Sequence, residues 1–455
     1  MQNLRSKIEN NFFNSYYIET LGCPKNKADS REIRVSMAHN NFFEVENSKK
    51  ADIIIVNTCS FIKEASKETI ETILKAVELK NNKTKSQKKI IVVVGCFAQR
   101  YEKELKEEIS DIDIIVGTGR YREIPLLIKD YLKSLNFSSF SSDTKTSFAL
   151  KKTSNSYAYI RIGQGCSRKC GFCVIPQIRG RFIAYDIEKI KNQFYDEKEI
   201  RSGRCVSEVI LVSQDSVRAD VDVLDAAIEY FSSFEEVKWI RLHYLFPEKK
   251  IFDLFYLFEK FPKLASYLDI PFQHISERVL KLMNRPADSR LFSSLLKEAR
   301  LVRKNIEIRS SFILGYPDET EEDVDKIIQF LGENQIDKVS LFSYSHEDGA
   351  YAAKKFDDNI SEDIKAERIN RIREYHLKLR EDYRKKIIGT VEEVMIDGFN
   401  KNEIEARRQQ DSPVIDEVVY VEKKDNHNEL KIGDLIPVKF TAAMEYDWLA
   451  EYDKK

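Results

Sequence analysis

The chain lacks any apolar run long enough to span a bilayer, and Met1 to Asn10 is polar where a secretory leader is apolar. Neither a membrane span nor export is expected; a cytoplasmic setting with reduced thiols is, which makes disulfides unexpected. It also lacks an excess of either charge. The net charge of −1 at pH 7 points to neither a nucleic acid nor a membrane surface as partner. None of the 6 histidines stands beside the cysteine groups, so a four-ligand structural zinc site has nothing to complete it. A full glycine-rich phosphate-binding fingerprint is missing too; Gly163 and Gly165 form only a loop pair. No internal repeat occurs. What is present is an ordinary globular composition, 42% hydrophobic and 33% charged, over 455 residues, enough for about three domains.

Against that background the 7 cysteines stand out. Three of them read Cys166-Ser-Arg-Lys-Cys170-Gly-Phe-Cys173, a C-x3-C-x2-C spacing on one short loop. Three thiolates so placed can ligate three irons of a cubane cluster and leave the fourth open, whereas most cluster proteins close every iron with four cysteines. An open iron can bind a substrate or cofactor. Cys23, Cys59 and Cys96 form a second set, each following a strand-like run, the last two being Ile53-Ile54-Ile55-Val56 and Ile90-Ile91-Val92-Val93-Val94. Such β-branched runs read as strands buried on both faces, and the charged helix-like stretches between them give the alternation of a parallel sheet. Ligands gather at the carboxyl ends of parallel strands, so these three cysteines are expected to converge there. Cys205 is read as an ordinary small hydrophobe.

The fold class expected is α/β and multidomain. Residues 1–135 form a parallel-sheet domain, and a Ser/Thr/Asn-rich linker covers 136–156. Residues 157–387 carry six strand candidates: Tyr157–Ile162, Val209–Val212, Trp239–Leu242, Tyr267–Ile270, Ile308–Leu314 and Lys338–Phe342. Six βα units make a partial (β/α)6 barrel, open at the side for a large substrate. Glu362 to Ile388 reads as one helix. Residues 388–455 contain short β-type runs at Thr390–Ile396, Val418–Glu422 and Ile436–Thr441, a small all-β barrel with 16 acidic against 9 basic residues.

These motifs resemble the radical S-adenosylmethionine superfamily, on the three cysteines with the aromatic Phe172 between the second and third. The flanking domains resemble its methylthiotransferase branch: a methylthiotransferase N-terminal domain, a radical core and a TRAM domain. Gly22-Cys23-Pro24-Lys25-Asn26, Leu242-His243-Tyr244-Leu245-Phe246-Pro247, Tyr267 to His274 and Ala443-Met444-Glu445-Tyr446-Asp447 are similar to the members that act on an aspartate of ribosomal protein S-twelve. The chain departs from the branch after Arg179-Gly180, where Ala184-Tyr185-Asp186 replaces a Ser-Arg-Pro element, and at Tyr316 and Asp318.

The resemblance implies two 4Fe-4S clusters. Cys166, Cys170 and Cys173 are the implied catalytic ligands of the cluster that chelates S-adenosylmethionine, whose cleavage gives a radical able to take hydrogen from the aspartate β-carbon. Cys23, Cys59 and Cys96 are the implied ligands of an auxiliary cluster for sulfur insertion, which implies a close interface between the two domains. Gln214, Arg309 and Gly315 are expected to bind the cofactor, with Arg309 paired to its carboxylate. His243 and His274 read as structural histidines that could alternatively line the substrate cavity. The implied partners are ribosomal protein S-twelve or the small subunit, a reductant and a sulfur donor. An acidic cap suits a basic protein better than RNA. The competing readings are a methylthiotransferase acting on a tRNA adenosine, a non-catalytic iron–sulfur electron carrier, and a scaffold with vestigial clusters.

Overall fold

The computed structural model describes residues 13–60, 62–82, 89–135, 155–201, 205–285, 289–423 and 429–453. The expected linker at 136–156 lies almost wholly outside them. The chain divides into two compact units. One is Met1–Thr153 with Gln177–Arg179 and Tyr195–Arg204; the other is Ser154–Pro176, Gly180–Phe194 and Cys205–Lys455. Among the described residues no helix is long and apolar enough to cross a membrane.

The first unit is built on a parallel sheet of β1 (Ser15–Thr20), β2 (Phe43–Glu44), β3 (Ile53–Thr58), β4 (Ile90–Gly95) and β5 (Ile114–Val116), in the order β2-β1-β3-β4-β5. β3 and β4 are buried at every position. Successive side chains alternate between faces: Ile53, Ile55 and Val92 enter one core, Ile54, Val56 and Ile91 the other. Each such buried side chain contributes roughly 1.5–3 kcal/mol, which is why an uninterrupted apolar run here specifies a central strand.

In the second unit, the six strands expected from the sequence are β6 (Tyr157–Arg161), β9 (Glu208–Val212), β10 (Trp239–Leu242), β11 (Tyr267–Asp269), β12 (Glu307–Leu314) and β13 (Lys338–Ser343). They form two parallel three-stranded sheets, β10-β9-β6 and β11-β12-β13. Main-chain bonds from Ile240 N to Lys263 O and from Ala265 N to Ile240 O, both 2.7 Å, link β10 to the segment entering β11. One continuous core, including Ile160, Leu211, Ile240, Leu268 and Phe312, backs both sheets. A short antiparallel pair, β7 (Gly163–Gln164) and β8 (Ile183–Ala184), brackets the cysteine loop. The helix Glu362–Ile387 is capped by the Ser361 hydroxyl.

A closed barrel follows, made of β14 (Val391–Phe399), β15 (Glu403–Arg408), β16 (Val419–Glu422), β17 (Leu435–Ala443) and β18 (Trp448–Tyr452), in the order β14-β15-β16-β18-β17. β15 and β18 were not anticipated by the sequence reading. The barrel and the strand arc share a set of buried ion pairs. Arg407 bonds Glu208 and Asp397, Arg408 bonds Glu307 and Glu392, and Lys338 pairs with Asp411 at 3.2 Å. Glu208, Glu307 and Lys338 are the first residues of β9, β12 and β13, so the segment 407–416 lies against the starting ends of the arc's strands.

Candidate cysteine sites

Cys23, Cys59 and Cys96 follow β1, β3 and β4, which are neighbours in the sheet. Adjacent parallel strands run about 4.8 Å apart, so their carboxyl ends bring the three loops together. Cys23 is the N-cap of the helix Pro24–His39, at that helix's positive end. Gly22 has φ +80°, and a Cβ there would stand 2.6 Å from both Cβ and Sγ of Cys59. Only glycine lets the Cys23 loop approach Cys59 this closely.

Buried polar groups lock the arrangement. Asn26 Nδ2 donates to Leu21 O (2.8 Å) and Thr58 O (2.9 Å), tying the Cys23 loop to the end of β3. Asn57 Nδ2 returns a bond to Asn26 O at 2.9 Å. Arg179, within the same unit, donates from Nε to Cys96 Sγ (3.2 Å) and from Nη2 to Asn26 Oδ1 (2.8 Å) and Asp29 Oδ2 (2.7 Å). Tyr121 donates to the same Asp29 oxygen. Burial pushes the Cys96 thiol up, and the Arg179 guanidinium pulls it back.

The second set occupies the loop after β7. Gly171 N donates to Met283 O and Ala352 N to Gly171 O, both at 2.7 Å, pinning the middle of the loop from two sides. Each sulfur accepts an N–H. Arg168 N reaches Cys166 Sγ at 3.4 Å, Ile175 N reaches Cys173 Sγ at 3.5 Å, and Arg285 Nη1 reaches Cys170 Sγ at 3.6 Å. Burial pushes the Cys166 thiol up, and the Arg168 backbone N–H pulls it back. N–H groups aimed at sulfur are among the contacts that tune metal-bound thiolates; the second set has one on every sulfur, and the first has one on Cys96. Among the described residues no three His, Cys, Asp or Glu side chains close on a single metal-ion position. The ligands of a cluster bind different irons and stand apart, so a cubane does not need that closure.

Around this loop, Arg168 donates from Nε to Asp215 Oδ2 (2.6 Å) and from Nη1 to Glu248 Oε2 (2.8 Å). Its guanidinium lies 3.8 Å from the Phe246 ring centre. Gln214, just past β9 and next to Asp215, has a buried Oε1 with no hydrogen-bond partner among the described residues. Gly315, just past β12, has φ +77°, and a Cβ there would come within 2.3 Å of Lys365 Cγ. Its N–H is taken by Glu319 Oε1 at 2.9 Å.

Arg309 stands at the opposite end of its strand from Gly315. It is the third residue of β12, about six residues and roughly 20 Å of strand before Gly315. There it bonds Asp416 and Ser340 rather than standing where a cofactor carboxylate could meet it. Both histidines take the structural role. His243 Nε2 bonds Ser412 Oγ at 3.0 Å. His274 Nδ1 accepts from Ile275 N and Ser276 N, and its Nε2 stands 3.3 Å from Glu319 Oε2. Cys205, read as a buried small hydrophobe, is exposed. Asp29, Arg168, Phe246 and Arg285 were missed as site residues. Asn26, Arg168, Arg179 and Phe246 lie inside the sequence motifs, but sequence gives no sign of which sulfur or ring such a side chain meets.

Three family models match in succession: Uncharacterized protein family UPF0004 over residues 15–117, the radical SAM superfamily over 160–331, and the TRAM domain over 388–452. The chain is 38% identical over 441 residues to ribosomal protein uS12 methylthiotransferase RimO of Leptospira biflexa, covering 95% of this chain and 96% of that protein. It is 36% identical over 440 residues to the protein of the same name from Clostridium botulinum (strain Eklund 17B / Type B), covering 94% and 96%. For the one from Clostridioides difficile (strain 630) the figures are 34% over 449 residues, 95% and 98%. With three matching domains in order and likeness along nearly its whole length, the chain belongs to the RimO family of radical SAM methylthiotransferases.

Proposed function

We propose that this chain methylthiolates the β-carbon of an aspartate in ribosomal protein uS12, using two 4Fe-4S clusters and S-adenosylmethionine. The observation that carries the reading is the end-to-end likeness to RimO proteins in a chain with two complete cysteine triplets. Cys166, Cys170 and Cys173 would hold the catalytic cluster; Cys23, Cys59 and Cys96 would hold the auxiliary one. Bound there, the clusters and S-adenosylmethionine supply one-electron chemistry, which a C–H bond needs when no side-chain base near neutral pH can remove its proton.

The chain's own groups do the holding. Gly171, pinned by Met283 and Ala352, fixes the cysteine loop. Gln214 Oε1 is a buried acceptor left for the cofactor's amino group. Gly315, closed over by Lys365 and Glu319, shapes the end of β12 rather than bonding the cofactor through its N–H. In this reading residues 1–135 present the auxiliary set, 157–387 form the radical core and 388–455 the cap. The cap's 16 acidic against 9 basic residues favour a basic ribosomal protein over RNA. A one-electron reductant and a sulfur donor are required partners, and a cytoplasmic setting keeps the thiols reduced.

The test is anaerobic reconstitution with iron, sulfide, S-adenosylmethionine and a strong reductant, offering either uS12 or a tRNA anticodon stem-loop. Mass spectrometry should find a methylthio group on the aspartate-bearing peptide of uS12. A gain on the RNA alone overturns the substrate and moves it to a tRNA adenosine. Reduction of clusters without cofactor turnover overturns the catalytic reading in favour of electron transfer.

A further inference from the structure

Arg285 is 5% exposed, and its side chain makes no salt bridge to a carboxylate among the described residues. Its Nη2 donates to Pro271 O at 2.6 Å, its Nη1 to Cys170 Sγ, and its Nε is buried with no acceptor. The guanidinium carbon lies 4.3 Å from the centre of the Phe246 ring. Main-chain anchoring at Arg285 N to Leu280 O, 2.8 Å, holds it at the end of the helix Glu277–Leu282.

A buried cation is retained when something anionic balances it. Neighbouring Arg168 meets that requirement with Asp215 and Glu248, and it stands over the same Phe246 ring. Arg285 has instead a neutral carbonyl, a ring face and one cysteine sulfur. Asp215 also acts on it electrostatically but is already paired with Arg168, so among the described residues the anion in direct contact is the Cys170 thiolate and whatever that thiolate ligates.

We propose that Arg285 is the counter-ion of the cluster held by Cys166, Cys170 and Cys173, a positioning residue that raises that cluster's reduction potential. The inference rests on the assignment of these three cysteines as ligands. The physics is direct. Reduction adds one electron to the cluster, so a fixed cation on a ligand sulfur favours the reduced form over the oxidised one. Net charge and hydrogen bonds to sulfur are among the terms that set cluster potentials.

The experiment compares the full chain with Arg285→Met, Arg285→Gln and Arg285→Lys, each reconstituted anaerobically. It is done in a background with Cys23, Cys59 and Cys96 changed to Ala so that a single cluster is observed. Iron and sulfide content are measured first, then the midpoint potential by EPR-monitored titration. Arg285→Met and Arg285→Gln should lower the reduction constant at least tenfold, about 59 mV for a one-electron couple, with Arg285→Lys close to the parent. Iron retained at the parent potential in Met and Gln overturns the proposal. Iron lost from Met and Gln but kept in Lys supports it, because charge is then what the cluster needs. Iron lost from all three, with circular dichroism unchanged, assigns Arg285 to shape alone and overturns it. Full iron content in Cys170→Ala would show instead that the ligand assignment is wrong, whatever Arg285 does.

Discussion

The two cysteine sets solve one problem in two ways. Each meets a buried arginine: Arg179 at Cys96 and Arg285 at Cys170. Arg179 is also paired with Asp29, whose side chain is fully buried, so the charge brought to the first set is closed before any ligand arrives. Arg285 makes no such ion pair with a carboxylate among the described residues. The first set is therefore prefolded around a neutral network, and the second is held beside an open positive charge. Under the proposed function, the difference suits a division between a cluster that handles sulfur and one that must accept an electron.

The largest expected break comes from the sulfurs themselves. Cys166, Cys170 and Cys173 changed to Ala should abolish formation of 5′-deoxyadenosine, read by chromatography. The same change at Cys23, Cys59 and Cys96 should leave that cleavage intact and abolish only the methylthio product. Loss of cleavage from both triple variants would erase the distinction between the sets.

Next in size is Arg179→Met, which strands Asp29 in the interior. Breaking a buried pair costs about 3–5 kcal/mol, measurable by urea unfolding of the apo protein. Asp29→Asn in the same chain should recover part of it, since the loss is mainly the orphaned carboxylate. A double variant no better than the single one would mean that the Cys96 and Asn26 bonds matter more than the charge.

Gly22→Ala is expected to be milder in stability, about 1–3 kcal/mol for a strained backbone and a crowded Cβ. It should deplete iron from the first set while the second keeps its own. Equal depletion of both would show that the loop is not a local device.

The smallest effect on chemistry is predicted for Arg309→Met. It should weaken the barrel's attachment, seen as earlier unfolding, and leave the Kd for S-adenosylmethionine unchanged by calorimetry. A weakened Kd would return Arg309 to the cofactor site.

How much of this could be read from the chain depended on what kind of force shaped each part. Ile53–Val56 and Ile90–Val94 announced their strands because burial on both faces demands uninterrupted apolar residues. Cys166, Cys170 and Cys173 announced a site because ligand spacing on one loop is a local property. β15, Glu403–Arg408, was hidden because Arg407 and Arg408 are buried by ion pairs rather than by hydrophobicity, so its sequence looks like surface. β18 was hidden because it is short, with Trp448 and Ala450 inward and Leu449 and Glu451 outward, so an exposed leucine blurs the alternation. Arg309 stands at the starting end of the strand Ile308–Leu314 in the sequence as in the structure; what the sequence does not give is its partners, Asp416 and Ser340. Arg285 and Asp29 were invisible because their meaning lies in contacts across more than a hundred residues of chain.

The ion pairs that bind the barrel to the strand arc also bear on modularity. Glu208, Glu307 and Lys338 belong to the arc, and their partners Arg407, Arg408 and Asp411 to the barrel segment. A graft that exchanged residues 388–452 alone would leave Glu208 with Arg241 only and Glu307 and Lys338 with one another, each stripped of a second buried partner. Domain shuffling across this seam must therefore move matched charges on both sides at once, so the cap and the core are expected to be inherited as a pair.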